Sequence, residues 1–373
     1  MLKRLCPLAY LEGDGIMSVR ILVLNPGSTS TKIAIYEGEK PLFVESIEHS
    51  REELAKFPEI NDQYPLRKET ILSQLDERNI PLGSITAIVA RGGLLPPVKS
   101  GAYRVNDDMV YQLKYHPQNE HASNLGAIIA QGIAQDLGIE AYVYDPVTVD
   151  EMEPIARITG LPEMERKGMG HNLNMRASAI KYAQEVGKAY DELSLLVAHL
   201  GGGITLSLHK GGRIIDMISD DEGPFSPERA GGLPVFQVIK MASSPEYDYK
   251  KMMRKVRRQG GLMAYFGTTD AREVEKMIAE GDKKAALVYE ALAHNVAKNI
   301  GKLAVVVAGR IDAIILTGGM AHSEMLVSWI KDRVAFLAPV KVIPGENEME
   351  ALAQGALRVI RGEEQAREFV SGD

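Results

Sequence analysis

Residues 20–46 read RILVLNPGSTSTKIAIYEGEKPLFVES, and residues 194–219 read SLLVAHLGGGITLSLHKGGRIIDMIS. The two stretches share one plan. Each begins with an apolar strand that ends in a polar residue, Asn25 in the first and His199 in the second. A turn containing Gly follows, then a second strand, a Gly turn and a third strand. A repeat separated by about half the chain predicts two copies of one β-β-β-α unit facing each other.

Within the first copy, LNPGSTSTK (residues 24–32) has the look of a phosphate-binding loop. The Walker spacing requires a second Gly directly before Lys and Ser or Thr, and a helix after it. Here Ser28, Thr29, Ser30 and Thr31 follow Gly27, and IAIYEGEK after Lys32 alternates as a strand does. The Walker reading fails. What remains is a hydroxyl-rich turn between two strands.

Outward from these units, strands are predicted at VRILVLN, TKIAIYEG, PLFVESIE, ITAIVAR, AYVYD, LSLLVAHLG, ITLSLHKGG, RIIDMIS, DAIILTGG and VKVIPG. Between them lie helical patterns: NEHASNLGAIIAQGIAQDLG, DAREVEKMIAEG with Asp270 and Glu273 spaced as a capping box, KKAALVYEALAHNVAKNIGKLAVVV, and NEMEALAQGALRVIRGEE with Asn347 at the N-cap. Alternation of strands and helices predicts an α/β protein with largely parallel sheets.

Bulk properties narrow the function classes. The 373 residues are enough for two domains, and apolar and charged fractions of 45% and 25% are those of a globular chain. Lys and Arg number 43 against 50 Asp and Glu, a net charge of −7, which argues against a nucleic-acid surface. KKMMRKVRRQ, from Lys250, reads as a solvated helix face. A lone cysteine, Cys6, leaves no intrachain disulfide, and the eight histidines form no zinc-site spacing. The most apolar tract, LAVVVAGRIDAIILTGG, is cut by Arg310 and Asp312, so no membrane span is expected. Residues 1–16 read as an upstream extension before Met17, and the expected location is cytoplasmic.

In open α/β sheets ligands bind beyond the carboxyl ends of the strands. The residues there are Asn25, Arg91, Asp145, His199, Gly318 and Gly319. An amide, a cation, a carboxylate, an imidazole and bare backbone together suit phosphoryl transfer, which needs positioning and charge neutralisation. Singly, Asp145 before Pro146 also suits a turn, and His199 a structural hydrogen bond.

NPGSTSTK with its hairpin, HLGGG opening the second half, and LTGGM resemble the acetokinase family of the actin, sugar kinase and heat-shock chaperone ATPase superfamily. ARGGLLPP, NEHASNLGAIIA, DPVTVDEMEPIAR, GPFSPERAGGLP and GGLMAYFGTTDARE are similar to the butyrate (branched-chain fatty acid) kinases within it. The resemblance runs from about Val19 to Glu363. It implies two ribonuclease-H-like (actin-type ATPase) domains of duplicated β-β-β-α-β-α-β-α plan with a cleft between them. The implied domains are a discontinuous N-terminal one, residues 17–148 plus 347–373, and a C-terminal nucleotide-binding one, residues 149–346.

Carried over by position, the resemblance places Asn25, Gly27, Ser28, Ser30 and Lys32 in the first phosphate loop, and His199, Gly201, Gly202 and Gly203 in the second. Gly318, Gly319 and Met320 match the turn that cradles adenosine and its phosphates, helped by Gly260, Gly261 and Leu262. His121 and His171 match histidines around the acyl-phosphate site. Asp145 matches a carboxylate near the attacking oxygen, and Arg229 an arginine that holds the transferred phosphoryl. Arg91 is matched to the family's other arginine by role only. Glu348, with Asn25, matches the Mg²⁺ position. Surface pairing of Arg229 with Glu228 or Glu222, and a purely helix-dipole role for Glu348, are the bland alternatives.

The implied reaction is reversible transfer between ATP and butyrate or a related short or branched acid, giving acyl phosphate and ADP. The alternative within the family is acetate or propionate kinase. Met175 stands where acetate kinases carry a second histidine, and HLGGG replaces HLGNG, departures that favour a larger acyl group. Candidate acyl walls are Leu94, Leu95, Pro96, Pro97, Met169 and Met175. The implied partners are a small carboxylate and a nucleotide, with no nucleic acid or membrane, in a homodimer or higher homo-oligomer.

Overall fold

A computed structural model of the protein describes residues 19–371. The expected extension over residues 1–16, with Cys6, and the start at Met17 lie outside the described residues.

The two related stretches form two antiparallel meanders. The first comprises β1 (Arg20–Pro26), β2 (Ser30–Glu37) and β3 (Lys40–Glu48). Then come β4 (Ala87–Arg91), β5 (Ala102–Arg104) and β6 (Glu140–Tyr144). The second meander comprises β7 (Leu195–Leu200), β8 (Ile204–Lys210) and β9 (Arg213–Ile218). β10 (Ala313–Gly318), β11 (Val340–Pro344) and β12 (Arg367–Glu368) complete the strands. The sheets are ordered β12-β5-β6-β4-β1-β2-β3 and β11-β10-β7-β8-β9, so 6-4-1-2-3 in one repeats as 11-10-7-8-9 in the other.

The repeat extends to an irregularity. Asn25 faces Lys32 across the first hairpin, and His199 faces Thr205 across the second. Three residues beyond Lys32 and Thr205, the next pairing shifts register, at Ile35/Tyr36 and at Leu208/His209. The same bulge at the same place in both halves is a stronger mark of duplication than strand order alone.

Each sheet is mixed instead of largely parallel. Short turns can join only antiparallel neighbours, whereas β1 with β4 and β4 with β6 are joined by helical crossovers and run parallel. Central strands are accordingly apolar on both faces: Ile21, Leu22, Val23 and Leu24 are all fully buried. β3 is an edge, and Lys40, Pro41, Glu45 and Glu48 on it discourage further pairing.

Helix Lys283–Ala304 covers the second sheet. Asp282 caps it by accepting from the Lys284 and Ala285 N–H groups, and its buried face runs Ala285, Val288, Tyr289, Leu292, Val296 and Ile300. That spacing of three and four puts one stripe on the core, so Leu292→Ala would cost about 2–5 kcal/mol. Two further helices join the lobes. Asn172–Glu185 buries Met175, Ala179 and Ala183 against β7 and β10, while Glu348–Ile360 buries Leu352, Ala353 and Ala356 against β1 and β4. The two helices also pack on each other. The terminal helix therefore returns to the first sheet.

Candidate active site

The first loop is held from behind. Arg67, fully buried on helix Tyr64–Glu77, donates to Ser30 O at 3.0 Å, to Thr31 Oγ1 at 2.9 Å and to Ser28 O at 3.4 Å. Gln63 Oε1 accepts its remaining N–H bonds, and Gly27 N–H closes the turn onto Ser30 O at 2.7 Å. With these carbonyls engaged, Gly27, Ser30 and Lys32 face a cavity of about 530 Å³ between the lobes. Ser28 is not on its wall.

Asn25, the penultimate residue of β1, lines the cavity and its Nδ2 donates to Glu348 Oε2 at 2.8 Å. Arg91, at the end of β4, is ion-paired to Glu348 Oε1. Glu348 opens the terminal helix, but its neighbour Asn347 makes no side-chain cap bond. The first turn's carboxylate is thus used by the floor of the cleft and not only by the helix dipole. Gly92 and Gly93, which follow Arg91, are packed too closely to carry a side chain. A Cβ on Gly92 would lie 2.4 Å from Pro146 Cβ, and one on Gly93 2.6 Å from Asn124 Oδ1. His121 lines the same wall, its Nδ1 2.9 Å from Ser123 Oγ; burial first, then Arg91, lowers its pKa.

From the second lobe come His171 and Arg229. The His171 ring stacks on His199, 3.8 Å between centroids, and its Nδ1 is hydrogen-bonded to Thr205 Oγ1 at 3.0 Å. Burial, then the neighbouring His199, pushes the His171 pKa down to about 3, so the ring is neutral. His199 lies beneath the surface. Asn174 Nδ2 donates to its Nδ1 at 2.9 Å, which leaves Nε2–H for the Glu346 carboxylate at 3.1 Å. That bond pulls the Glu346 pKa down to about 2.

Arg229 is ion-paired with Asp220, not with Glu228 or with Glu222, which is bound by Arg166. Its guanidinium lies over the second loop, where a Cβ on Gly203 would sit 2.6 Å from Nη1. Gly201 is similarly crowded by His199 Nε2 at 2.6 Å, whereas Gly202 is open and its carbonyl accepts from Ser226 Oγ. Gly260, Gly261 and Leu262 buttress this arginine's loop. Gly260 N–H donates to Glu228 O and Leu262 N–H to Ser226 O, and a Cβ on Gly261 would be 1.6 Å from Ser226 O. Gly318 (φ +91) packs on the Leu200 backbone, leading into the turn Gly319–His322 with Met320 buried. These three are outside the main cavity wall.

Asp145 lies behind the cavity wall. Its side chain is 1% exposed and ion-paired with Arg176 at 2.9 Å, and Gly101 N–H occupies its other oxygen at 2.7 Å. The carboxylate is not among the groups that line the cavity. Among the acyl-wall candidates, Leu94 and Met169 line the cavity, together with Pro26 and Val147. Leu95 belongs to the core, and Met175 lies behind Thr205 and Ser207. Pro96 and Pro97 are not on this wall.

Sequence reading missed Arg67, Thr205, Asp220, Glu346 and Arg257. Arg257 was assigned to a solvated face, yet it lines the cavity 3.8 Å from Asp220. Only Thr205 had a signal: it is the counterpart of Lys32 in the repeat.

Two β-β-β-α lobes facing each other, with a polar loop at each first hairpin aimed into one cleft, define an actin-type ATPase fold. The chain belongs to the acetokinase family, whose model matches residues 167–357. It is 49% identical over 352 residues to butyrate kinase 1 of Clostridium acetobutylicum, spanning 94% of this chain and 99% of that protein. In fold it is similar to Porphyromonas gingivalis acetate kinase, with a TM-score of 0.76 at 17% identity over 91% of this chain and 99% of that one. A propionate kinase from Francisella tularensis gives a TM-score of 0.72 at 19% identity, over 90% and 98%.

Proposed function

We infer that the cleft carries the γ-phosphoryl group of ATP to the carboxylate of butyrate or a related short or branched acid, reversibly, releasing ADP. The observation that carries this is that Arg91 and Arg229, from opposite lobes, face one cavity beside a neutral histidine. The wall holds four cationic side chains, Lys32, Arg91, Arg229 and Arg257, against the carboxylates of Asp220 and Glu348. Such an excess suits two anionic reactants brought together.

A carboxylate is already ionised at neutral pH, so the acid needs no general base. Its oxygen forms a bond to the γ-phosphorus as the bond to the β,γ-bridging oxygen breaks, and ADP leaves with that electron pair. Arg91 would hold the acid, exchanging Glu348 for the substrate carboxylate. Arg229 would exchange Asp220 for the transferring phosphoryl. Charge spreads over the phosphoryl's equatorial oxygens in the transition state, where fixed donors act most strongly. His171, being neutral, would contribute a hydrogen bond and no charge.

The first loop and Lys32 would receive the nucleotide phosphates, with the Gly318–Met320 turn towards the adenosine. The donor set fits Mg²⁺ of the kind that takes one carboxylate and fills its sphere with phosphate oxygens and water. Glu348, with the Asn25 carbonyl, would hold it, and the ion supplies charge neutralisation of the phosphates.

Pro26, Leu94, Val147 and Met169 give the cavity an apolar wall suited to an alkyl chain. The reading extends to a cytoplasmic enzyme; among the described residues no helix is long and apolar enough to cross a membrane. Helix Val235–Ala242 exposes Val235, Phe236 and Ile239, a face that suits a homo-oligomer. A hydroxamate assay with ATP, Mg²⁺ and butyrate tests the activity. Hydroxamate should form with butyrate, and absence of product with every short carboxylate would overturn the reading.

A further inference from the structure

Behind the cleft lies a polar node that the chemistry above does not use. Asp145 directly follows β6 of the first lobe in a left-handed conformation (φ +40) that non-glycine residues seldom adopt. Its two oxygens take one N–H from Gly101 and one from Arg176, as described. Arg176 stands on helix Asn172–Glu185, which packs on the second sheet. The same Nη1 donates to Tyr144 Oη at 2.7 Å. That hydroxyl also accepts from Arg358 Nη2 at 2.6 Å and donates to Glu364 Oε2 at 2.7 Å, which exhausts its capacity. The Arg176 guanidinium is sandwiched between the Tyr144 and Tyr190 rings, 5.5 and 5.8 Å from their centroids. Five stretches of the chain, at Gly101, Tyr144–Asp145, Arg176, Tyr190 and Arg358–Glu364, therefore meet around one buried ion pair between the lobes.

The node has a path to the reacting groups. The turn after Asp145 puts Pro146 against Gly92, next to Arg91, and sends Val147 into the cavity. Asn172, the first residue of Arg176's helix, donates from Nδ2 to Val147 O at 3.3 Å and Val149 O at 3.0 Å. The residue before it is His171. The start of the helix is thus tied to the first lobe twice, through Asn172 and, one turn on, through Arg176. Both ties lie within five residues of His171, which lines the same cavity as Arg91.

We propose that Asp145 serves phosphoryl transfer as a positioning residue, acting through Arg176 to set His171 of the second lobe against the Arg91 wall of the first. The proposal rests on the kinase reading of the cleft. A buried pair of this kind is costly to break, because removing one partner strands the other charge. Misplacing a catalytic group by about 1 Å is enough to lose about 10²-fold in rate.

The test is a double-mutant cycle read by kcat and KM. Asp145→Ala and Arg176→Ala should each lower kcat by about 10²-fold, with KM for ATP changed less than about threefold. The double variant should be no slower than the worse single one, since both remove one pair. In a His171→Ala background, Asp145→Ala should add little further loss. Near-normal turnover of Arg176→Ala beside an inactive Asp145→Ala would overturn the proposal and return Asp145 to contact with substrate. Where the alanine variants fold poorly, Arg176→Lys and Asp145→Asn replace them. A second readout needs no activity: ring-current-shifted resonances of His171 should move in both single variants, and unchanged resonances in both would equally overturn the proposal. An inactive wild-type enzyme with shifted resonances would instead sink the kinase reading alone.

Discussion

The imidazoles of His171 and His199 lie face to face, 6° from parallel, although one precedes a helix and the other ends a strand of the second sheet. Thr205 holds the first ring, while Asn174 and Glu346 hold the second. Because burial keeps His171 neutral down to about pH 3, turnover should show no ionisation of this residue at neutral pH. The pH profile of kcat/KM should be flat from about pH 6 to about pH 8 on its account. A limb near pH 6.5 that vanishes in His171→Ala would contradict the neutral assignment.

Stability should depend on acid through a different histidine. His209 is fully buried between Ser207 and Tyr190, and burial, then Arg176, pushes its pKa down to about 3. Its unfolded value is about 6.5, so the unfolded chain binds the extra proton as pH falls below that. The contribution is fully present above about pH 6.5 and declines towards the folded pKa, by up to about 1.4 kcal/mol per pH unit. Urea unfolding at about pH 7 and about pH 5 should show a smaller loss for His209→Gln than for wild type, by about 1–2 kcal/mol. Equal losses would refute it.

Arg229 and Gly203 should fail together. Arg229→Ala should lower kcat by about 10³-fold while ATP affinity, measured calorimetrically, stays within a few-fold. Gly203→Ala pushes a methyl into the guanidinium and should lower kcat by about tenfold or more with little change in melting temperature. A Gly203→Ala enzyme with full turnover would show that the arginine moves freely.

Arg67 should matter to both stability and nucleotide. Arg67→Met removes the donor to Ser28, Ser30 and Thr31 and leaves buried acceptors unpaired, at about 1–3 kcal/mol each. Chemical denaturation should show a loss of about 3 kcal/mol or more, and the ATP Kd should rise. Loss of stability with unchanged nucleotide affinity would separate Arg67 from the loop's function.

Acyl choice should follow the apolar wall. Each methylene buried is worth about 0.8 kcal/mol, and one methylene discriminates by about 10–200-fold. Values of kcat/KM across acetate, propionate, butyrate, isobutyrate and valerate should peak at the four-carbon acids, and Val147→Phe should shift the peak towards acetate. A wild-type maximum at acetate would exclude the butyrate preference and leave acyl phosphorylation standing.

All ten strands read from the residues are present, because central strands need apolar faces and hairpins need turn residues, both local requirements. β5 and β12 were missed, being three and two residues long, too short for any periodicity. The duplicated plan was legible for the same reason: both copies repeat their turns and their strand-end residues. Gly260, Gly261 and Leu262 show the limit. The resemblance sets them beside the Gly318 turn, whereas their backbone bonds to Ser226 and Glu228 come from chain packing that no local pattern encodes.

The sequence by itself determined the elements, their duplication, and which residues stand at the strand ends where phosphate chemistry belongs. Only the tertiary structure decided how those residues are paired. Arg91 meets Glu348 across 257 positions, Arg229 meets Asp220 and not Glu222, and Asp145 turns away to Arg176. Charge pairing is set by distance and burial, and a carboxylate identical in composition behaves differently once two helices and a strand end close around it. No local pattern carries that information, because the burial exists only after both lobes have packed.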